Sequence, residues 1–250
     1  MAVFSSSQRL LKRIQEKGLK KTFNSVYSYM NDRYFDIKFN TDTFSWVPVN
    51  RMDVNDEKKE HAVIYQATRV LPLRQLFEKL MIPKDSTLVD IGCGKGRVLL
   101  VASEFGIEDI RGIEFSPSLS EIAIKNISKY KYKTQTKSSF QVINADAAQY
   151  QYEDDEDVFF LYNPFDEVIL EKVLQNISAS LKRRNRKVQM IYANAVHKSL
   201  IEKHLNVTKT RDFNLWEFEF VVYEVEGVKV KKTIELTTSS STKFSHRLPA

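Results

Sequence analysis

Closely spaced glycines and the acids around them are the residues of this sequence best suited to hold a small polar ligand. Three of the chain's seven glycines occupy alternate positions in one stretch, and Asp90 lies just before them. They are Gly92, Gly94 and Gly96. Glycine adopts positive φ readily and leaves no Cβ in the way of a ligand. A helix that begins after such a turn offers free backbone N–H groups, so the stretch predicts a small-molecule site.

The spacing of these glycines distinguishes between two kinds of ligand. Dinucleotide sites carry the pattern G-x-G-x-x-G, whereas this chain has G-x-G-x-G followed by Arg97 and preceded by Asp90. An acid at the turn would serve a pyrophosphate poorly and would suit a ligand with a cationic amino group. Glu114 can accept hydrogen bonds from both hydroxyls of a ribose, and Asp146 can accept one from an adenine amino group.

An alternation of strands and helices positions these residues. Strands are predicted at 88–91, 110–115, 140–144, 158–162 and 187–193, with helices between them, and β-rich runs at 207–213 and 216–226 close the pattern as an antiparallel pair. This order implies an α/β fold with a doubly wound, mostly parallel seven-stranded sheet and helices on both faces. Ligands of such sheets bind beyond the carboxyl ends of the strands, where Asp90, Glu114 and Asp146 are expected to meet.

The chain divides into three regions. Residues 60–226 are predicted to form the α/β domain, and residues 227–250 a basic, Ser/Thr-rich tail. Residues 1–59 form an N-terminal helical and aromatic extension, in which 8–30 has helical spacing interrupted near Gly18. Residues 34–55 show no clean period and are expected to be irregular, acting as a lid, as a substrate-facing arm or as packing against the core.

Composition narrows the partners and the compartment. The formal net charge is +6, and a basic surface attracts nucleic acid, an anionic membrane or an acidic protein. The basic clusters at 125–137 and 182–187 are more simply interpreted as solvated helix ends and loops. No run approaches the roughly 18 apolar residues of a membrane span. With one cysteine and no secretory signal, a cytoplasmic protein is expected, or a mitochondrial one if the source is eukaryotic, because 8–30 is rich in Lys, Arg and Ser.

Three motifs resemble those of the class I, seven-stranded S-adenosylmethionine-dependent methyltransferases. They are VDIGCGKGRVLL at the glycine turn, IEFS around Glu114 and NADA around Asp146, and the resemblance covers roughly residues 60–226. It implies that S-adenosylmethionine is the cofactor. By this resemblance, the methionine part is held by Asp90 and the backbone of Gly92, Cys93, Gly94 and Gly96. The ribose is held by Glu114, with Phe115 beside it, and the adenine is flanked by Asp146 and Ala147.

The fourth predicted strand ends in L-Y-N-P-F, where some methyltransferases of this fold carry N-P-P-aromatic or D-P-P-aromatic. This chain has a single proline, so the acceptor of those enzymes does not carry over. By position, Asn163 is expected to face both the cofactor and its methyl group, and Phe165 to stack on the acceptor. The alternative is that Asn163 caps a helix and Phe165 belongs to the core. Tyr65 lies where related enzymes bring a tyrosine over the cofactor.

The methyl acceptor is the least determined feature of the sequence. L-Y-N-P-F and the long N-terminal arm resemble bacterial methyltransferases of unassigned substrate and, more distantly, the seven-stranded protein-lysine methyltransferases. A protein side chain, best a lysine, is therefore the expected acceptor. The alternatives are RNA, held by the basic clusters, and a non-catalytic cofactor-binding scaffold. For an amine acceptor, His197 and Tyr162 are candidates to take the proton. The four histidines are scattered, so no metal site is expected.

Overall fold

The computed structural model describes residue 15 and residues 18–45, 66–163 and 165–227. Within these residues the helices are α1 (Leu19–Phe39), α2 (Val70–Leu80), α3 (Arg97–Glu104), α4 (Pro117–Thr134), α5 (Glu167–Arg183) and α6 (Lys198–His204). The strands are β1 (Thr87–Ile91), β2 (Asp109–Glu114), β3 (Ser139–Asn144), β4 (Glu156–Leu161), β5 (Lys187–Ala193), β6 (Val207–Leu215) and β7 (Phe218–Glu226). Tyr65, Pro164 and the predicted tail beyond Gly227 lie outside the described residues.

All seven strands form one sheet in the order β3-β2-β1-β4-β5-β7-β6. Strands β1 to β5 pair in parallel, and β7 runs antiparallel to both of its neighbours, β5 and β6. The predicted doubly wound sheet with a final antiparallel pair is therefore confirmed. The strand order reverses between β1 and β4, and this is the point at which such sheets open a ligand crevice.

Two apolar cores cover the two faces of the sheet. One core packs helices α1 to α4 against the sheet and includes Phe35, Leu76 and Leu99. The other packs α5 and α6 and includes Leu174 and Ile201. All five residues of β1 are buried, as expected for a central parallel strand covered on both sides. Helices on both faces hold the carboxyl ends of β1 and its neighbours in fixed relative positions.

Local capping explains where two of the helices begin. Ser116 is the N-cap of α4, its Oγ accepts a hydrogen bond from the Leu119 N–H at 3.4 Å, and Pro117 follows at the first helical position. Asp166 is the N-cap of α5, accepting from the Ile169 N–H at 3.0 Å. Asn163 is therefore not the cap of this helix.

Helix α1 corrects one expectation from the sequence. Residues 34–39 were expected to be irregular, but they continue the helix to Phe39. The reason is that Asp32, Phe35 and Phe39 follow one another at helical spacing and are all buried against the domain. The helix ends at Asn40, whose left-handed conformation (φ 55°) is a common C-cap. Aromatic and charged residues mixed in this stretch obscured the period.

Asp32 joins α1 to the rest of the domain. Its side chain is fully buried and accepts hydrogen bonds from the Arg69 guanidinium and from the Val70 N–H, both at 2.8 Å. Arg97, the first residue of α3, lies 3.1 Å from the same carboxylate. One buried carboxylate thus ties α1 to the starts of α2 and α3. Two guanidinium groups depend on it for compensation of their charge.

Replacing Asp32 by alanine is expected to lower the free energy of unfolding by about 3–5 kcal/mol, because the buried Arg97 loses its nearer carboxylate and keeps only Asp36, at 3.7 Å. The matched control is Asp212→Ala, since Asp212 is exposed and forms a 3.5 Å ion pair with Lys198, which is also exposed. Exposed pairs contribute about 0–1 kcal/mol. Urea unfolding of both variants measures the difference. Equal, small losses in the two variants would show that the Asp32 cluster does not hold α1 in place.

Candidate functional site

A cavity opens at the carboxyl ends of β1, β2 and β4, at the switch in strand order. Strands, the glycine turn and the segment before α2 all contribute to its wall. The lining residues are Gln66, Ala67, Thr68, Asp90, Gly92, Cys93, Arg97, Val98, Glu114, Phe115, Leu119, Phe160, Tyr162, Asn163, Phe165 and Asn194. Seven of the residues predicted from the sequence as site residues therefore meet in one cavity.

Positive φ values let the glycine turn fold tightly onto β2. Gly92, Gly94 and Gly96 have φ values of 79°, 53° and 83°, which other residues adopt only at a cost. The backbone N–H groups of Gly92 and Cys93 both donate to the Ile113 carbonyl, at 2.8 and 3.0 Å. The turn therefore follows the sheet edge closely and brings its backbone beside the cavity.

Glu114 holds the glycine turn from the next strand. One carboxylate oxygen accepts from the Gly94 N–H and the other from the Ser116 N–H, each at 2.9 Å. The side chain is buried, and this burial raises the pKa of Glu114 to about 7, although the backbone hydrogen bonds oppose the rise. The carboxyl group is thus both a structural clamp and a wall of the cavity.

Asp90 adds a second buried acid to the same wall. It is 3% exposed, and its burial, together with the nearby Glu114 carboxylate, raises the pKa of Asp90 well above the usual range. Because the two carboxyl groups are buried close together, their ionised forms cost free energy unless a cation lies beside them. A ligand that carries a cationic amino group or a sulfonium would offset this cost.

Arg97 offers the opposite chemistry on the other side of the cavity. Its side chain is 2% exposed, and its Nε donates to the Thr43 Oγ1 at 2.8 Å. Its Nη2 lies 3.7 Å from an Asp36 oxygen and makes no hydrogen bond. A buried guanidinium N–H in a cavity wall suits a carboxylate of a ligand. Asp90 and Arg97 together fit both ends of a bound amino acid.

A segment after α1 covers the glycine turn. The Lys95 ammonium, in the middle of the turn, lies 2.9 Å from the Asp42 carboxylate and also contacts the Ser45 hydroxyl. Asn126 of α4 accepts from the Asp42 N–H at 2.9 Å and donates to the carbonyls of Asp42 and Lys95. Asp42 and Ser45, which belong to the stretch expected to be irregular, are therefore bound to the glycine turn.

Asn163 lies at the carboxyl end of β4 in a strained conformation. Its φ of 39° is unusual for a residue other than glycine, and such strain clusters at functional sites. The Tyr192 hydroxyl lies 3.0 Å from the Asn163 Oδ1, an amide oxygen that can only accept a hydrogen bond. The hydroxyl therefore donates to Asn163, which fixes the orientation of the carboxamide.

Aromatic side chains form the cavity wall next to Asn163. Phe115, Phe160, Tyr162 and Phe165 line this part. Burial raises the pKa of Tyr162, so its hydroxyl keeps its proton at neutral pH and cannot readily act as a base. This wall can exclude water from a reacting group and stack on a flat or cationic one.

Several residues expected at the site do not line this cavity. Gly94 and Gly96 support the turn without lining the cavity, and neither Asp146 nor Ala147 is among the lining residues. The Asp146 carboxylate accepts from the Ala148 N–H at 2.9 Å, which shapes the turn after β3. His197 is the N-cap of α6 and does not line the cavity either. Tyr65 is outside the described residues.

Burial also decides the chemistry of Cys93. The thiol is 5% exposed, and burial, followed by the carboxylates of Asp90 and Glu114, raises its pKa well above the usual range. It is therefore a poor nucleophile. Among the described residues, no three His, Cys, Asp or Glu side chains form a group that would hold a metal ion.

Gly112 was missed by sequence reasoning although the turn depends on it. A Cβ at this position of β2 would lie 2.6 Å from the Cys93 Sγ and 2.9 Å from the Leu99 Cδ1. Such contacts are too close for any side chain. The absence of a side chain at Gly112 lets the glycine turn approach the sheet. The only signal in the sequence is a glycine inside a strand, which often marks a close approach of backbone.

The fold and the site together define the class of this protein. The sheet order, the glycine turn at its switch point and the acids at the carboxyl ends of β1 and β2 are those of a class I S-adenosylmethionine-dependent methyltransferase. A family model described as a methyltransferase domain matches residues 61–218, which is more than half of the chain. The chain therefore belongs to the methyltransferase-domain family, and its cofactor is S-adenosylmethionine.

Three solved structures are similar to part of this chain. A TehB-like S-adenosylmethionine-dependent methyltransferase from Corynebacterium glutamicum is 18% identical, with a TM-score of 0.48 over 65% of this chain and 90% of its own. Magnesium protoporphyrin IX methyltransferase from Synechocystis, solved with bound S-adenosylmethionine, is 12% identical, with a TM-score of 0.48 over 64% and 78%. TrmN from Thermus thermophilus is 11% identical, with a TM-score of 0.49 over 64% and 49%. A search of curated protein sequences found no significant match.

The raised pKa of Glu114 predicts how the stability of the ligand-free protein depends on pH. Below about pH 4.5 the group is protonated in both the folded and the unfolded state. Between that pH and about 7 the unfolded state releases the proton while the folded state keeps it, so the free energy of unfolding falls as the pH rises. At about 1.4 kcal/mol per pH unit, the loss reaches at most about 3 kcal/mol.

Urea unfolding at several pH values measures this dependence. Glu114→Gln should flatten the decline, whereas the control Glu121→Gln should leave it unchanged, because Glu121 is 70% exposed. Glu156, whose pKa is also raised to about 7 by burial, contributes its own share of the decline. If Glu114→Gln kept the full wild-type slope, the Glu114 carboxyl would not be protonated in the folded protein.

Proposed function

We propose that the cavity binds S-adenosylmethionine with its amino acid part between Asp90 and Arg97. The Asp90 carboxylate suits the amino group, and the Nη2 of Arg97, which makes no hydrogen bond and lies 3.7 Å from an Asp36 oxygen, suits the carboxylate. Glu114 accepts the ribose hydroxyls, since each of its oxygens keeps a lone pair beyond the backbone hydrogen bond that it receives. Asp146 and Ala147 flank the adenine, farther along the same sheet edge, at the end of β3.

The acceptor in this proposal is an amine of a protein side chain, best a lysine. The proposal rests chiefly on Asn163, whose strained backbone and fixed carboxamide lie beside an aromatic wall. The Oδ1 accepts one hydrogen bond from Tyr192 and has a second lone pair, which can accept from an amine N–H. Phe165 and Tyr162 can enclose the alkyl chain of a lysine and leave its neutral amino group beside Asn163.

The basic clusters give little support to the alternative of an RNA acceptor. The chain that follows each parallel strand returns through its helix to the opposite end of the sheet, so the C-terminal ends of α4 and α5 lie away from the cavity. Arg183 also pairs with Asp154 at 2.9 Å, and Arg186 donates to the carbonyls of Glu153 and Glu156. Arg183 and Arg186 of the cluster at 182–187 are thus engaged by the segment that carries the acidic block at 153–157.

Methyl transfer needs alignment and a dry site more than acid–base chemistry. S-adenosylmethionine supplies an electrophilic methyl group on its sulfonium. In the proposed arrangement Asn163 orients the acceptor nitrogen, and the aromatic wall excludes water. The acceptor must lose its proton before it attacks. Neither His197, which lies off the cavity, nor Tyr162, whose pKa is raised, is placed to take this proton, so the amine is expected to arrive deprotonated from solvent.

Transfer of a labelled methyl group into a cell lysate tests the acceptor. With S-adenosylmethionine labelled in the methyl group, we expect incorporation that protease removes and nuclease does not. Asn163→Ala should reduce the rate at least 10-fold, because it removes the carboxamide that orients the acceptor, while cofactor affinity stays within about threefold. Asn185→Ala is the matched control, since Asn185 is exposed and lies just before β5, at the end of the sheet opposite the cavity.

The other outcomes separate the alternatives. Label that nuclease removes would assign an RNA acceptor and contradict the protein proposal. Cofactor binding without label in any fraction would indicate the scaffold. Full turnover in Asn163→Ala would show that the methyl group is not transferred beside this residue.

A further inference from the structure

Helix α1 exposes a continuous apolar stripe that nothing in the described structure covers. Seven large apolar and aromatic side chains lie on it, with exposures of 40% to 73%. They are Leu19, Phe23, Val26, Tyr27, Met30, Tyr34 and Ile37. At 100° per residue these positions fall within an arc of about 100°. At 1.5 Å per residue the stripe is about 27 Å long.

The inner face of α1 makes this stripe more unusual. In its first half the helix buries polar residues, Thr22 and Ser28, whose hydroxyls have no hydrogen-bond partner. Phe23 in the same half and Met30 just beyond it are instead 67% and 62% exposed. A surface helix normally buries its apolar side. The inverted arrangement indicates that the outer face of α1 meets an apolar environment of its own.

The charges on α1 identify the kind of partner. Lys20, Lys21, Arg33 and Lys38 are all exposed. Both acids of the helix, Asp32 and Asp36, turn inward, where they lie beside Arg97. At 100° per residue, Arg33 flanks one edge of the stripe and Lys20 and Lys38 flank the other. The outer surface of the helix is therefore apolar along its centre and positive along both margins.

An aromatic neighbour extends the stripe. The Trp216 ring stacks on Tyr27 at 5.7 Å, and Tyr27 in turn stacks on Phe23 at 6.1 Å. Trp216 lies in the turn between β6 and β7, where it and Glu217 have φ values of 55° and 62°. Two-residue turns of this kind favour Asn and Gly, so a bulky Trp here costs conformational energy. The turn nonetheless presents an aromatic ring next to the stripe.

We propose that α1 attaches this protein to an anionic lipid bilayer, lying flat in the interface with its apolar stripe in the lipid and its cations at the headgroups. A wide apolar face, cationic margins and tyrosines at the boundary are the features that favour this position. A second copy of the chain fits poorly, because pairing two such faces would bring the same cations together. None of the described helices is long and apolar enough to cross a membrane, so α1 lies on the bilayer.

Flotation with lipid vesicles tests the proposal. The full chain should float with vesicles of phosphatidylcholine and phosphatidylglycerol, should stay behind with phosphatidylcholine alone, and should detach as salt is raised. Phe23→Ser/Met30→Ser should weaken binding at least 10-fold through loss of the apolar contact. The matched control is Ile124→Ser/Val168→Ser, which removes apolar side chains of 50% and 54% exposure from other helices.

Charge variants test the electrostatic part separately. Lys20→Glu/Arg33→Glu should also weaken binding at least 10-fold, whereas Lys125→Glu/Lys129→Glu on α4 should not. Cofactor affinity, measured on every variant, shows that each is folded, since none of these residues lines the cavity.

Three results would overturn the proposal. The first is a wild-type chain that does not float with the anionic vesicles. The second is flotation that the α1 variants leave unchanged. The third is a dimer in analytical ultracentrifugation that Phe23→Ser/Met30→Ser converts to monomer while wild-type protein ignores the vesicles, which would assign the stripe to a second copy.

Discussion

The buried carboxylate of Glu114 is the interaction on which the cofactor site depends. It lies at the end of β2 and accepts the backbone N–H groups of Gly94 and Ser116. One side chain thus fixes both the glycine turn after β1 and the start of α4. Because β1 and β2 are parallel neighbours, their ends cannot shift without breaking these hydrogen bonds. Burial makes the ionised form costly, and the cavity is therefore suited to a cationic ligand.

The N-terminal helix is bound to this site through a second buried carboxylate. Asp32 contacts Arg69 and Arg97, and Arg97 lines the cofactor cavity. The two acids of α1 therefore face the catalytic domain, and its exposed charges are all positive. In our proposals one face of the helix completes the cofactor site and the other meets lipid. Such an arrangement would hold the methyltransferase domain at a membrane surface, with the cofactor cavity packed against the helix that contacts the lipid.

Much of the fold could be predicted from the sequence, because its signals are local. The run from Leu88 to Ile91 ends at a glycine turn, and Ser116 with Pro117 marks the start of a helix, so periodicity and capping were sufficient there. The doubly wound, seven-stranded sheet follows from the alternation of strands and helices and from the resemblance carried by the glycine turn, Glu114 and Asp146. The end of α1 at Phe39 could not be predicted, because the burial of Phe35 and Asp32 depends on partners far away in the chain.

The residues of the site also divide into those that local sequence patterns identify and those that depend on contacts between distant parts of the chain. Sequence motifs identified Asp90, the glycine turn and Glu114 as site residues. The parallel arrangement of their strands places all three at one edge of the sheet. Gly112, Arg97 and Tyr192 were missed, since their roles are contacts across the fold: a close approach to Cys93, a buried ion pair and a hydrogen bond to Asn163. No local pattern in the sequence specifies the residues on the acceptor side of the site. The exposed stripe of α1 was hidden for a related reason, because both faces of the helix carry aromatic residues.

Calorimetric titration of S-adenosylmethionine tests the central claim, that the glycine turn and its acids hold the cofactor. Wild-type protein should bind one equivalent. Asp90→Ala should bind at least 10-fold more weakly, and Gly94→Trp should not bind measurably, because an indole at a φ of 53° would displace the turn. Asp212→Ala, which lacks only an exposed carboxylate, is the control. Thermal unfolding of each variant shows that it is folded. Wild-type affinity in both Asp90→Ala and Gly94→Trp would place the cofactor elsewhere and contradict the account.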